Sequence, residues 1–229
     1  MTDFHSHILP KMDDGSRSEE ESLAMLNALS EQGVSRVMAT PHFYANDESV
    51  ADFINRRQNS LESLMSLKPS EMPEILAGAE VRYYEGISRL SELKSLCIDG
   101  TRLLLLEMQE RKWTEYTLRE LADISSGGKV TLVLAHVERY IGFQRPDTFY
   151  RLLENGILMQ MNASFVNGFF TKRKAIRMLR NNEVHFLGSD CHNMDTRPPD
   201  IGSAFKTIQN KLGCDFAEGF KNYTNEFLK

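Results

Sequence analysis

The chain has 229 residues, 41% hydrophobic and 26% charged, a composition that suits a soluble globular protein with ample length for a core. Its net charge of −5 gives no electrostatic case for nucleic-acid binding, and no apolar run approaches the ~20 residues of a membrane span. Cys97, Cys191 and Cys214 share no motif spacing, and "DFHSH" begins at Asp3, leaving no room for a signal peptide. The expectation is a cytoplasmic protein in a reducing compartment.

In chain order, "TDFHSH" reads as a short strand. Ser18 then opens a helix, with Glu21 completing a capping box, Leu23, Leu26 and Leu29 on its apolar side, and Gly33 ending it. "SRVMATPH" is strand two, and Asp47 to about Leu67 a polar helix. "EILAGAE" is strand three, followed by a helix near Glu85–Leu93. "RLLLLEM" is strand four, and Leu118, Leu121, Ala122 and Ser125 share one face of the next helix. "VTLVLAH" is strand five, and Pro146 starts a helix through Asn155. "ILMQMNAS" is strand six, before a basic helix over Lys172–Asn182. "VHFLGSD" is strand seven. Ala204, Phe205, Ile208 and Leu212 mark the next helix, and Phe216, Phe220, Tyr223 and Phe227 a final amphipathic one.

The strands are near-continuous apolar runs, which suit a parallel sheet covered on both faces. Seven strand-then-helix units point to an α/β barrel of TIM type with fewer than eight strands; a doubly wound open sheet is the alternative. With no repeat, linker or low-complexity segment, residues 1–229 read as one domain.

Histidines concentrate where strands end. His5 and His7 follow strand one, His42 strand two, His136 strand five and His192 strand seven, while Glu80, Glu107 and Asp190 end strands three, four and seven. In a parallel α/β fold these ends meet at one face, so residues scattered from His5 to His192 are expected to converge. In extended backbone, i and i+2 point the same way, so His5 with His7, and Asp190 with His192, can each aim two ligands at one ion. Imidazole and carboxylate ligands suit Zn, Mn or Fe, and so many exceed the needs of one ion; two or three ions with a bridging carboxylate such as Glu80 would use them. Glu107 has little local signature, and Glu110 stands near it. His185 lies inside strand seven and reads as a hydrogen-bonded packing histidine. "SDCHNMDTRPP" also contains a C-x5-R spacing, that of a cysteine phosphatase, between Cys191 and Arg197. The intervening "HNMDT" has no glycine to wrap around phosphate and places Asp195 where an anion would sit, so Cys191 reads as a spacer.

"DFHSH", "DDG", "TPH", "GAEV", "LAHVERY" and "SDCHN" with the downstream "RPP" together resemble the polymerase and histidinol phosphatase (PHP) superfamily. More narrowly they resemble its bacterial protein-tyrosine phosphatases of capsule and exopolysaccharide operons. The resemblance implies a distorted (β/α)7 TIM-like barrel carrying three metal ions. By motif position, His5, His7, Glu80 and Asp190 would hold one ion. Glu80, Glu107 and His136 would hold a second, and Asp14, His42 and His192 a third. The residues alone leave Asp13 and Asp14 open; the family's "DDG" selects Asp14.

The implied reaction is phosphomonoester hydrolysis by a metal-activated hydroxide, with Arg139 and Arg197 as the phosphate contacts. The implied substrate is phosphotyrosine, on the tail of a bacterial tyrosine kinase of capsule or exopolysaccharide biosynthesis. Competing readings are a phosphoesterase of the same fold acting on a small phosphomonoester such as histidinol phosphate, and a non-catalytic kinase-binding protein with a vestigial metal site. The basic run Lys172, Arg173, Lys174, Arg177 and Arg180 reads chiefly as a solvated helix face; attraction of an acidic phosphorylated tail is the other reading.

Overall fold

The computed structural model describes residues 1–228. Strand β1 (Thr2–Ser6) pairs in parallel with β2 (Arg36–Ala39), and β2 with β4 (Glu74–Ala77). A second parallel sheet runs in the order β3 (His42–Phe43), β5 (Glu80–Arg82), β6 (Leu103–Glu107), β7 (Thr131–Leu134), β8 (Leu158–Asn162) and β9 (Phe186–Gly188). Spatial order follows chain order, without the reversal that a doubly wound sheet requires. At the seam between the two sheets, Asp190 N–H donates to His5 O at 2.8 Å and His7 N–H to Cys191 O at 2.9 Å.

Two expected strands are each divided. "SRVMATPH" breaks into β2 and β3 at Thr40–Pro41, where proline has no N–H to give a ladder. "EILAGAE" breaks into β4 and β5 at Gly78–Ala79. The breaks lie side by side, because β2 pairs with β4 and β3 with β5. Beyond the break, the register sets His42 opposite Glu80, and the next pairing sets Arg82 opposite Glu107.

Both faces of the strands are buried, which accounts for their continuous apolar runs. Along β6, Leu104 and Leu106 join the large cluster packed under the helices, while Leu103 and Leu105 join a smaller one with Phe4, Met38, Val133 and Phe186. In the smaller cluster the rings of Phe4 and Phe186 stack at 3.8 Å.

The helices are α1 (Glu19–Glu31), α2 (Val50–Leu67), α3 (Glu115–Ser126), α4 (Pro146–Glu154), α5 (Ala163–Asn167), α6 (Lys172–Arg180), α7 (Ile201–Leu212) and α8 (Cys214–Glu226). Ser18 caps α1 by accepting from Glu21 N–H, a contact worth about 1 kcal/mol. The other half of the expected capping box is absent, because the Glu21 carboxylate takes the Arg17 N–H and guanidinium instead. The second helix begins at Val50 rather than Asp47, since Ser49 supplies its cap. No α-helix forms over Glu85–Leu93. Two 3-10 turns, Ile87–Arg89 and Leu93–Leu96, lie there, and the buried Glu120 carboxylate takes the N–H groups of Gly86 and Ser88. Helix α5 was not anticipated; it follows directly from β8 and is too short to carry a periodic pattern. Among the described residues, no helix is long and apolar enough to cross a membrane.

Candidate metal centre

Every ligand-type residue expected from the sequence lies at or just beyond a strand's C-terminal end, apart from Asp14 in the loop after β1 and His42 and Glu80, which open the paired strands β3 and β5. Glu80 is the hub. Its Oε2 stands 3.2 Å from His5 Nε2, 3.4 Å from His7 Nε2 and 3.0 Å from His42 Nδ1, while Oε1 lies 2.8 Å from His136 Nε2. Glu107 Oε1 is 3.7 Å from the same nitrogen of His136. Glu110 lies exposed beyond the strand, so Glu107 is the carboxylate that reaches the cluster.

Asp190 closes the opposite side, with Oδ1 3.7 Å from His5 Nε2 and 3.5 Å from His7 Nε2. It stands at φ 54°, in the left-handed region, so the extended i, i+2 argument does not apply to Asp190 and His192. His192 is instead oriented by its own Nδ1, 3.0 Å from Asp190 O. Its Nε2 is 3.4 Å from Asp14 Oδ1, and His42 Nε2 is 3.6 Å from that oxygen. His136 is also left-handed, at φ 33°, where β7 turns abruptly into the 3-10 turn Val137–Tyr140 that carries Arg139.

These donors fit divalent cations. His5 Nε2 and His7 Nε2 face each other at 3.2 Å, and each lies 3.2 to 3.7 Å from Glu80 Oε2 and from Asp190 Oδ1. An ion with tetrahedral ligands at about 2.0–2.1 Å spaces those ligands by about 3.3–3.4 Å. Two further donors are buried without a hydrogen bond: His42 Nδ1 and Glu107 Oε2. Glu80 Oε2 lies 3.0 Å from the first and Arg82 Nη1 2.6 Å from the second, in neither case with hydrogen-bonding geometry. Three groups of donors gather tightly enough to hold an ion: His5, His7 and Asp190; His7, Asp14, His42 and His192; and His42, Glu80 and Glu107.

The electrostatics follow from burying several carboxylates among imidazoles. Burial opposes it, yet the His5 and His7 imidazoles hold Asp190 well below the ordinary carboxylate range, and His5 and its neighbours do the same for Glu80. Conversely, Glu80 and Asp190 overcome burial to raise His5. Burial lowers His136, and burial with the neighbouring His7 and Arg197 pushes His192 down to about 4. Neutral imidazoles of this kind are the metal-binding form.

A supporting layer that the sequence motifs do not reveal holds the candidate ligands in place. Asp13 accepts from His7 Nδ1 at 2.7 Å, His42 N–H at 2.8 Å and Gly15 N–H at 2.9 Å, so it orients two candidate ligands. Its neighbour Asp14, with 69% of its side chain exposed, presents the free carboxylate. Gly15 completes "DDG" for a steric reason: a Cβ there would lie 2.4 Å from His7 O. Gln160 Oε1 accepts from His136 N–H at 2.6 Å and lies 3.3 Å from His5 Nδ1. Asn162 Nδ2 donates to Asp190 Oδ2 at 2.8 Å, and Tyr140 Oη lies 3.0 Å from His136 Nδ1. The one available signal was polar Gln160 and Asn162 inside an otherwise apolar strand.

Arg139 and Arg197 meet at Asp190 Oδ2, at 2.9 and 2.6 Å, while His5 and His7 face the other oxygen. Arg197 also donates to His192 Nε2 at 2.9 Å, the atom a metal ion would take, so ion binding there frees that edge of the guanidinium. Both arginines line an open cleft with Glu138, Asn162, Asp190 and Asp200. An anion entering the cleft meets two guanidinium forks beside the imidazole cluster. Cys191, by contrast, is fully buried and bridges to Ser6, and burial pushes its thiol well above its ordinary value. His185 accepts from Met159 N–H at 3.1 Å and lies apart from the cluster.

The family described as "Capsular polysaccharide synthesis, CpsB/CapC" matches residues 1–226. Over 229 aligned residues the chain is 29% identical to the tyrosine-protein phosphatase YwqE of Bacillus subtilis (strain 168), covering 94% of this chain and 86% of that protein. Over 234 residues it is 30% identical to the tyrosine-protein phosphatase CpsB of Streptococcus pneumoniae, covering 95% and 93%. It superposes with a TM-score of 0.82 and 25% identity on a chain from crystal structures of YwqE from Bacillus subtilis and CpsB from Streptococcus pneumoniae, described as unique metal-dependent tyrosine phosphatases. That match covers 100% of this chain and 94% of the other. A histidinol phosphate phosphatase from Lactococcus lactis superposes at 0.54 with 11% identity, a likeness of fold alone. With nearly its whole length matched, this chain belongs to the CpsB/CapC family of capsular polysaccharide synthesis.

Proposed function

We propose that this chain is a metal-dependent protein-tyrosine phosphatase. The observation that carries the reading is the two-sided Asp190: one oxygen faces His5 and His7, the other holds Arg139 and Arg197. One side suits divalent ions and the other a phosphate group. The whole-length likeness to YwqE and CpsB, named as tyrosine-protein phosphatases, supports the same substrate class.

Divalent ions, once bound, supply an acidified water and neutralise phosphoryl oxygens. The proposed ligand sets are His5, His7, Glu80 and Asp190; Glu80, Glu107 and His136; and Asp14, His42 and His192, for two or three Mn, Fe or Zn ions. Glu80, reaching four imidazoles, suits the bridging role. Arg139 and Arg197 grip the non-bridging phosphate oxygens and stabilise the charge that builds on them in the transition state. Asn162 and Gln160 keep Asp190, His5 and His136 in place. A tyrosine phenolate, with a pKa of about 10, departs with less help from a general acid than an alkoxide needs.

The strands are read as a distorted (β/α)7 TIM-like barrel of PHP type, a reading supported by the backbone bonds joining β1 to the segment after β9. A single domain over 1–229 is supported by the family match over 1–226. The family's role in capsular polysaccharide synthesis supports a phosphorylated bacterial tyrosine kinase tail as the substrate. The free Cys97, Cys191 and Cys214 support a reducing, cytoplasmic setting. The test is hydrolysis by metal-replete protein of a phosphotyrosine peptide against histidinol phosphate. Preference for the peptide upholds the reading, and preference for histidinol phosphate replaces it with a small-molecule phosphoesterase.

A further inference from the structure

Phe169 and Phe170 are the most exposed large hydrophobic residues described, at 88% and 92%, with their rings edge-to-face at 5.1 Å. They sit on a well-held turn. Lys172 N–H donates to Gly168 O at 2.9 Å, and Thr171 Oγ1 donates to Phe165 O at 2.6 Å. A Cβ at Gly168 would lie 2.3 Å from Thr171 Oγ1, so a larger residue there would displace the hydroxyl that holds the turn. Fixing two adjacent phenylalanines in water gains nothing for the fold, and such a patch marks a contact surface.

Cations surround the pair. Lys172, Arg173, Lys174, Arg177, Arg180 and Lys211 line the same groove. None of the six forms an ion pair with a carboxylate among the described residues, although the chain as a whole carries −5. The basic groove and the candidate active-site cleft are both lined by residues of this one turn. Phe165, Gly168 and Thr171 line the cleft that holds Arg139 and Arg197, and the next residues along the turn line the basic groove. A peptide whose phosphotyrosine enters the arginine cleft therefore has flanking residues within reach of the phenylalanines and the basic face of α6. That one turn serves both places favours a peptide over a lipid surface as occupant.

Resting on the phosphatase reading, we infer that Phe169, Phe170 and the basic face of α6 form a substrate-docking surface for acidic residues flanking the phosphotyrosine. The aromatic pair covers apolar and aromatic side chains of the peptide, and the cations select acidic ones. Such contacts are exposed, so they act mainly on KM and weaken with salt.

The experiment compares kcat/KM at low salt for p-nitrophenyl phosphate, an acidic phosphotyrosine peptide, and the same peptide with Asp and Glu replaced by Asn and Gln. The wild type is expected to prefer the acidic peptide by about 10-fold, through KM. Arg173→Glu/Arg177→Glu brings the two peptides within about twofold and leaves p-nitrophenyl phosphate unchanged. Phe169→Ala/Phe170→Ala raises KM for both peptides only. Equal wild-type rates on the two peptides, or an acidic preference retained after charge reversal, overturns the inference. So does binding to phosphatidylglycerol vesicles that the Phe double variant abolishes, if peptide kinetics stay unchanged. If metal-replete protein hydrolyses none of the three, the phosphatase reading fails. Anisotropy binding of the labelled acidic peptide then tests the surface alone, and unchanged binding after charge reversal overturns it.

Discussion

The Arg139 guanidinium is bonded to Asp190 at 2.9 Å, on the carboxylate oxygen turned away from His5 and His7. One carboxylate thus links a cluster suited to cations with a cleft suited to an anion. If Arg139 contacts phosphate, Arg139→Lys keeps the charge and loses the fork. We expect kcat/KM for a phosphotyrosine peptide to fall about 100-fold with metal content unchanged. Steady-state kinetics and elemental analysis on one preparation check this, and a parallel fall in metal content assigns Arg139 to holding Asp190 instead.

Asp13 bonds His7 and the His42 backbone without reaching the centre itself. Asp13→Asn keeps an oxygen acceptor but removes the negative charge that orients the His7 ring. Metal affinity is expected to weaken by about 10- to 100-fold, with activity returning at high metal concentration. A competition titration with a chromophoric chelator measures the change, and unaltered affinity rejects the orienting role.

Cys191 is buried behind the seam and its thiol is held protonated. Cys191→Ser is expected to retain most phosphatase activity, whereas a metal chelator removes it. Loss of turnover in a folded Cys191→Ser protein, together with indifference to chelator, would restore the cysteine mechanism.

Burial lowers His185 to about 4. Its folded pKa lies below the unfolded value of about 6.5, so the neutral form is the native one. Its stabilisation is complete above about pH 6.5 and is lost as pH falls from there towards 4, by up to roughly 3 kcal/mol. Urea unfolding of wild type and His185→Asn across this range should give a flatter acid limb for the variant, and identical slopes would remove His185 from the account.

The convergence of the site was legible because parallel strands bring distant C-terminal ends together, and His5, His42, His136 and His192 each follow a strand-like run. The roles of Asp13 and Asp14 were not, since adjacent aspartates differ only in which way a loop turns. Gln160 and Asn162 stand out only as polar residues in an apolar strand, because hydrogen bonds from strand to strand leave no periodic trace of their partners. The breaks at Thr40–Pro41 and Gly78–Ala79 could be read locally, from proline and glycine, but their alignment side by side depends on strand register. Asp190 escaped the extended-strand argument because pairing with β1 ends in a left-handed residue.

On the proposed function, the imidazole and carboxylate cluster works through bound metal. The most direct measurement is elemental analysis of the purified chain alongside phosphotyrosine-peptide hydrolysis, before chelation, after it, and after adding back Mn, Fe or Zn. The purified chain is expected to carry divalent metal in excess of one ion, to lose hydrolysis when the metal is removed, and to recover it on reconstitution. Undiminished hydrolysis by protein stripped of metal would contradict the proposed function.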